Sequence, residues 1–169
     1  TPTTPGIEYD LYAEVVLASD EVTENNRTVN IPFYSHVTGA LVESFESGII
    51  PPEWTIINND NGEYYWGVQS WTSYGGSCSA GIIYESASLQ NDDWLITPQL
   101  ELSETTTDEI SFWMGTFNPT FPEEWEVLIS TTDTDPASFT MIDSGSTSTY
   151  GFFQKTYNLD SYGNAVIYF

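Results

Sequence analysis

The chain has 169 residues, which suits one sandwich-sized domain plus an appendage, and it sets 25 Asp and Glu against only Arg27 and Lys155, for a formal net charge of −23. Two cations cannot neutralise a phosphate backbone or an anionic bilayer, so nucleic acid and membrane insertion are disfavoured, and metals or cationic partners fit better. Hydrophobic residues at 40% and aromatics at 15% provide ample material for a core, unlike acidic disordered chains, and the self-repulsion of so much charge is relieved by bound cations or a saline setting.

From the N-terminus, the opening Thr1-Pro2-Thr3-Thr4-Pro5 reads as the start of a processed fragment, with neither a signal peptide nor a membrane span in the chain. Residues 9–17 and 27–31 are rich in strand formers and flank the acidic turn Asp20-Glu21-Val22-Thr23-Glu24-Asn25-Asn26, which predicts a β-hairpin. A lone hairpin is only marginally stable. It is expected to pack on the sandwich or to belong to a neighbouring domain, with the boundary at residues 32–39 and a division into 1–38 and 39–169. Asn26-Arg27-Thr28 matches the glycosylation sequon, a short motif of little weight alone.

Beyond residue 39, turn residues recur about every eight to twelve positions between stretches rich in Val, Ile, Tyr, Phe, Trp and Thr, an all-β rhythm. Ile110, Phe112 and Met114 alternate with Ser111 and Trp113, and Val127 and Ile129 with Leu128 and Ser130, so both stretches predict half-buried strands. Asp135-Pro136-Ala137-Ser138-Phe139 predicts one turn of helix at most, with Asp135 as cap and Pro136 at the first position. Cys78 is the single cysteine, so no intrachain disulfide forms, and a small buried hydrophobe is its expected role.

Asn91-Asp92-Asp93-Trp94-Leu95-Ile96-Thr97-Pro98 sets two adjacent carboxylates before an aromatic-led apolar strand that stops at a proline. Calcium takes six to eight oxygen ligands, and a carboxylate pair at the start of a strand supplies two of them from a rigid edge; Asn-Asp-Asp is equally ordinary turn chemistry. The same run, followed by Leu100 and Leu102, resembles the signature of cleaved-adhesin or choice-of-anchor J domains. Ser44-Phe45-Glu46-Ser47-Gly48, Ile50-Pro51-Pro52-Glu53-Trp54, Asp60-Asn61-Gly62 ahead of Trp66, residues 110–115, 125–131 and 153–159 follow in the family's order, so that the likeness spans residues 41–169. The resemblance implies an antiparallel jelly-roll β-sandwich similar to the MAM group. The N-terminal segment, with its Asp-Glu-x-x-Glu-Asn-Asn turn, resembles the closing hairpin of an immunoglobulin-like module of the CARDB kind.

The resemblance also implies a calcium site: Glu46 at the Phe-Glu station, Asp60 at the Asp-x-Gly loop, Asp92 at the strand start, and Asp93 either turned away or accepting in the second shell. In the family a further strand past residues 166–169, bearing an aspartate pair, helps to close the site, and this chain stops before it. An EF-hand is excluded, because placing Gly62 at loop position six puts Ile57 and Val68 at the outer ligand positions.

Catalysis has little support. A Cys-His pair or a Ser-His-Asp triad would need His36, from the predicted linker, and no Gly-x-Ser-x-Gly elbow exists. The Glu-x-Asp-x-Glu signature of jelly-roll glycosidases is absent; Glu8, Asp10 and Glu14 are a near miss on the appendage, and Glu123-Glu124 are expected in a solvated loop. Trp66, Trp71 and Tyr74 lie in a Gly- and Ser-rich stretch, where rings serve as core, as a protein interface or as stacking surfaces for sugars. The expected function is a non-catalytic, calcium-stabilised adhesion domain of a secreted or surface-displayed bacterial protein, with neighbouring domains, binding a host or matrix protein or a glycan. The alternatives are an accessory carbohydrate-binding module and a structural spacer of a larger secreted hydrolase.

Overall fold

A computed structural model of the chain describes residues 8–11, 31–34, 41–85, 91–103, 107–120, 122–147, 149–163 and 166–168. All regular structure among them is β-strand apart from two single-turn 3-10 segments, and every strand pair is antiparallel. The strands are β1 (Glu8–Leu11), β2 (Ile31–Tyr34), β3 (Thr55–Asn58), β4 (Gly67–Gln69), β5 (Ser79–Gly81), β6 (Asp93–Ile96), β7 (Leu100–Glu101), β8 (Glu109–Thr116), β9 (Glu123–Ile129), β10 (Thr140–Thr147), β11 (Gly151–Asn158) and β12 (Val166–Ile167).

Pairing is nested. The hairpin β9–β10 is enclosed by β8–β11, which is enclosed by β7–β12, and upstream the β4–β5 pair lies inside β3–β6. A long antiparallel ribbon folded over on itself is the jelly-roll arrangement, and it gives the all-β antiparallel sandwich expected from the sequence. Across this nest, Ser130, just past β9, exchanges backbone hydrogen bonds of 3.1 and 2.9 Å with Tyr168, just past β12.

The alternation read from the sequence sets the two faces of the central ribbon. On β8, Ile110, Phe112, Met114 and Thr116 are half-buried while Ser111, Trp113 and Gly115 face solvent, and on β9 Val127 and Ile129 are buried. Leu100, Leu102, Ile129 and Leu159 form the core, with Leu41, Ile110, Ile142 and Tyr162 packed against it, and Ile96 is 1% exposed. Asp135 caps the 3-10 turn Pro136–Ser138 through a 3.0 Å bond from the Ala137 N–H, as its position before a proline predicts.

Three expectations are corrected. β2 runs through Pro32 to Tyr34, inside the segment read as linker; Pro32 sits opposite Asp10, in a strand with a single described partner, where a missing N–H is tolerated. Glu123 and Glu124 begin β9 instead of lying in a loop, and both remain exposed. Cys78 is half-buried, not buried, and its N–H donates to the carboxylate of the exposed Glu46. The acidic turn, the sequon, Glu14 and His36 lie outside the described residues.

Candidate functional site

The β3–β6 pair positions the acidic motif. Asn58 lies opposite Asp93, and the chain leaves β3 through a turn in which Asn61 takes φ 56°, a left-handed conformation that Asn tolerates. Asp60 Oδ1 accepts the Gly62 N–H at 2.8 Å, and Asn58 grips the same glycine twice, accepting its N–H at 3.1 Å and donating to its carbonyl at 3.0 Å. Gly62 is needed here: a Cβ would stand 2.4 Å from Glu85 Oε1 and 3.0 Å from Asp60 Oδ1, so these two carboxylates flank it.

Asp93 is the centre of this acidic pocket. Both of its carboxylate oxygens are buried without a hydrogen-bond partner, as is Asp60 Oδ2. Burial, then the negative charges of Asp60, Asp92 and Glu85, push the Asp93 carboxyl up to about 6. Its backbone is fixed by Trp66, whose indole N–H donates to the Asp93 carbonyl at 3.1 Å. Glu85 is 7% exposed and accepts the Tyr64 N–H at 2.7 Å. Asn91 clamps the Glu85 segment, accepting the Glu85 N–H at 2.9 Å and donating to the Ile83 carbonyl at 2.9 Å.

The other two expected ligands are engaged differently. Asp92 accepts from Asn59 Nδ2 at 2.6 Å and from the Trp94 indole at 3.1 Å. Glu46 reaches the loop before β5, where Oε1 accepts the N–H groups of Ser77 and Cys78, each at 2.8 Å. The structure therefore brings Asp60 and Asp93 together with Glu85, sets Asp92 beside them, and engages Oε1 of Glu46 in a backbone clamp.

Among the described residues, no three of His, Cys, Asp and Glu are gathered so as to hold a metal by side chains alone. The donor chemistry of the pocket still suits a hard cation. Buried carboxylate oxygens without partners are costly unless protonated or neutralised, and calcium completes its shell with backbone carbonyls, amide oxygens and water. Glu85 carried no role in the sequence reading, and Asn91 figured there only as the first residue of the Asn-Asp-Asp run. The signal available for Glu85 is its place as the first charge after the uncharged run of residues 64–84.

A second constellation is built from rings. The loop after β4 lies against the solvent face of β8–β11: Tyr74 stacks on Trp113 at 3.7 Å between centroids and 8° between planes, and meets Phe152 edge-on at 6.1 Å. Trp71 meets Phe117 edge-on at 5.3 Å, and its indole N–H donates to Gln69 Oε1 at 2.7 Å. Trp71, Tyr74, Trp113 and Phe117 remain 40–59% exposed. Ser79 Oγ donates to the Thr72 carbonyl at 2.8 Å and Ser73 Oγ to the Gly76 carbonyl at 3.1 Å, and with the Glu46 clamp these bonds fix the loop. Trp66 is not part of this surface; it is half-buried and serves the acidic pocket.

The opposite face of the ribbon is tied by Lys155, which donates to Asp143 at 2.8 Å and lies 4.4 Å above the Trp125 ring. Tyr157 donates to the same Asp143 oxygen at 2.8 Å. The hydrogen bond from Lys155, and then that from Tyr157, hold the Asp143 carboxyl below the usual range.

No helix among the described residues is long and apolar enough to cross a membrane. Hemagglutinin A of Porphyromonas gingivalis is 28% identical in an alignment of 122 positions that covers 62% of this chain and 4% of that protein. Gingipain R1 of the same species is 31% identical in an alignment of 111 positions that covers 61% of this chain and 6% of that protein. The chain thus spans a small part of the length of the curated relatives it matches. Among solved structures, the K3 cleaved adhesin domain of Lys-gingipain from P. gingivalis superimposes with a TM-score of 0.61 at 21% identity, covering 76% of this chain and 85% of that one. The K1 domain of the same protein gives 0.59 at 23% identity, covering 75% and 84%. At these identities the likeness is one of fold. The family model for the Cleaved Adhesin Domain matches residues 38–164, most of the chain, and the chain belongs to that family.

Proposed function

We propose that the chain is a non-catalytic adhesion domain of a larger secreted or surface protein, stabilised by calcium and recognising a host or matrix protein or a glycan. Family membership supports adhesion. The observation that carries the calcium reading is Asp93, whose two buried oxygens have no hydrogen-bond partner and stand among further carboxylates. Asp93 and Asp60 would hold the ion, with Glu85 and Asp92 lending negative charge and Asn58 fixing the Gly62 turn. Bound calcium would supply the positive charge that offsets their mutual repulsion, so ion binding and folding are linked.

Thermal melting in excess calcium and in chelator, at one fixed ionic strength so that screening of the −23 charge is constant, tests this. A calcium-specific rise that magnesium does not reproduce is expected. Equal melting in calcium and in chelator refutes the metal half of the reading. A second reading, an accessory carbohydrate-binding module, is favoured by the exposed rings of Trp71, Tyr74 and Trp113.

A further inference from the structure

In a chain with 25 acidic residues, the stretches 64–84, 110–122 and 144–154 carry no charge. They converge. Thr116 of the second bridges Tyr150 of the third, β8 pairs with β11 along its length, and the loop of the first lays Trp71 and Tyr74 against Phe117, Trp113 and Phe152. Cross-strand partners share a face, so Ser111 with Thr156, Trp113 with Gln154 and Gly115 with Phe152 form one uncharged outer surface. Along this face of β8–β11 the next charge is Glu109, opposite Asn158, and under the loop that carries Trp71 and Tyr74 it is the Glu46 carboxylate.

We propose that this surface is the recognition site of the adhesion reading above, on which it rests, and that its ligand is a neutral glycan chain. The apolar C–H face of a sugar ring stacks on an exposed aromatic ring, and its hydroxyls pair with amides and hydroxyls; the surface supplies the rings of Trp71, Tyr74, Trp113 and Phe117 beside Ser111, Gln154 and Thr156. Charge decides against the other occupants. A basic protein would be drawn to the acidic remainder of the molecule and gains nothing from this neutral patch, and pairing with a second copy brings two bodies of −23 together. An exposed cluster of this many rings marks an interaction site. From Trp113 to Phe117 the surface runs about 13 Å along the strand direction, which seats an oligosaccharide better than a single ring.

The surface is built in advance of its ligand. Gly76 has φ +77°, and a Cβ there would stand 2.4 Å from Glu46 Oε1, so the loop closes tightly on the Glu46 carboxylate that also takes the Ser77 and Cys78 N–H groups. Glu46 is thus a positioning residue for Trp71 and Tyr74.

Affinity electrophoresis of the whole chain in gels containing xylan, mixed-linkage β-glucan, galactomannan or dextran, with polygalacturonate and heparin as anionic comparisons, tests the proposal. Retardation by at least one neutral polysaccharide is expected, insensitive to added salt and about tenfold weaker in Tyr74→Ala and in Trp113→Ala. Should either variant melt lower than the parent, Gln154→Glu is read instead, since it places a charge on the surface without removing a ring; it should also weaken retardation. No retardation by any neutral polysaccharide, retardation by anionic ones only, or retardation unchanged in all three variants overturns the proposal. Retention on an immobilised matrix protein without any glycan effect also overturns it while leaving the adhesion reading intact, and the calcium melt is independent of every one of these outcomes.

Discussion

The acidic pocket and the aromatic surface are opposite solutions to one composition. At Asp93 the chain gathers charge where water is excluded and leaves oxygens without partners, whereas on the outer face of β8–β11 it removes charge where water is freely present and leaves rings uncovered. Each departs from what stability alone would favour, since buried acids prefer partners and exposed rings prefer cover. The difference teaches that the acidity of this chain is distributed, and that the places where it is concentrated and where it is absent are both informative.

The sharpest way to break the comparison is to neutralise Asp93. Its carboxyl titrates at about 6 in the folded chain against an ordinary value of 3.8. The folded state therefore holds this proton more tightly than the unfolded chain. Without a cation, the contribution of Asp93 to stability is most favourable below the ordinary value, falls as the pH rises from 3.8 to about 6, and stays low above that. The penalty at neutral pH is about 3 kcal/mol at most. Asp93→Asn should accordingly melt higher than the parent in chelator at pH 7.5, by up to about 10 °C, with the gap narrowing as the pH falls from 6 to 4, and should lose the calcium response. A variant that melts lower than the parent in chelator would mean that the carboxylate is already compensated. Glycan retention should be unchanged.

Gly62→Ala is the next largest perturbation of the same region. Its Cβ cannot coexist with Glu85 Oε1 at 2.4 Å, so one carboxylate must move. The expected loss is about 1–3 kcal/mol in calcium, with a smaller calcium-induced rise, read by the same paired melts. Melting in calcium indistinguishable from the parent would show that the close approach of Glu85 to this turn is dispensable.

On the aromatic side, Gly76→Ala forces a side chain into φ +77° and against the Glu46 carboxylate, a strain of about 1–2 kcal/mol. Polysaccharide retention should fall together with stability, while the calcium-induced rise is kept. Loss of the calcium response instead would place Glu46 in the metal site.

Much of this was legible in the sequence, for reasons of period and local chemistry. Alternation at residues 110–114 and 127–130 gave the inward faces of β8 and β9, because each strand is covered on one side only. Asp135-Pro136 gave its capped turn, since both residues act locally. What escaped depends on contacts distant in sequence. Glu85 reaches the acidic pocket through Asn91 and the Gly62 turn, and Trp113 becomes part of a surface only because a loop some forty residues upstream folds over it. Glu46 illustrates the limit: no spacing rule indicates that its Oε1 accepts two backbone N–H groups from a loop some thirty residues downstream.

The smallest expected effect is a control that separates both regions from the ribbon carrying them. Lys155 pairs with Asp143 at 2.8 Å, with the side chains 25% and 31% exposed, so water and salt screen the pair. Lys155→Met keeps an apolar stem over Trp125 and removes the charge. Because Asp143 titrates below the usual carboxylate range, its contribution is present at neutral pH and lost as the pH falls through that lowered value. The variant should therefore melt slightly lower than the parent at pH 7, and the gap should narrow both in high salt and on acidification. Calcium response and polysaccharide retention should match the parent, since Lys155 lies on the face of β11 opposite Gln154. A Lys155→Met chain that lost either property would tie the pocket or the ring surface to the far side of the sheet, and the two regions could then no longer be treated as independent.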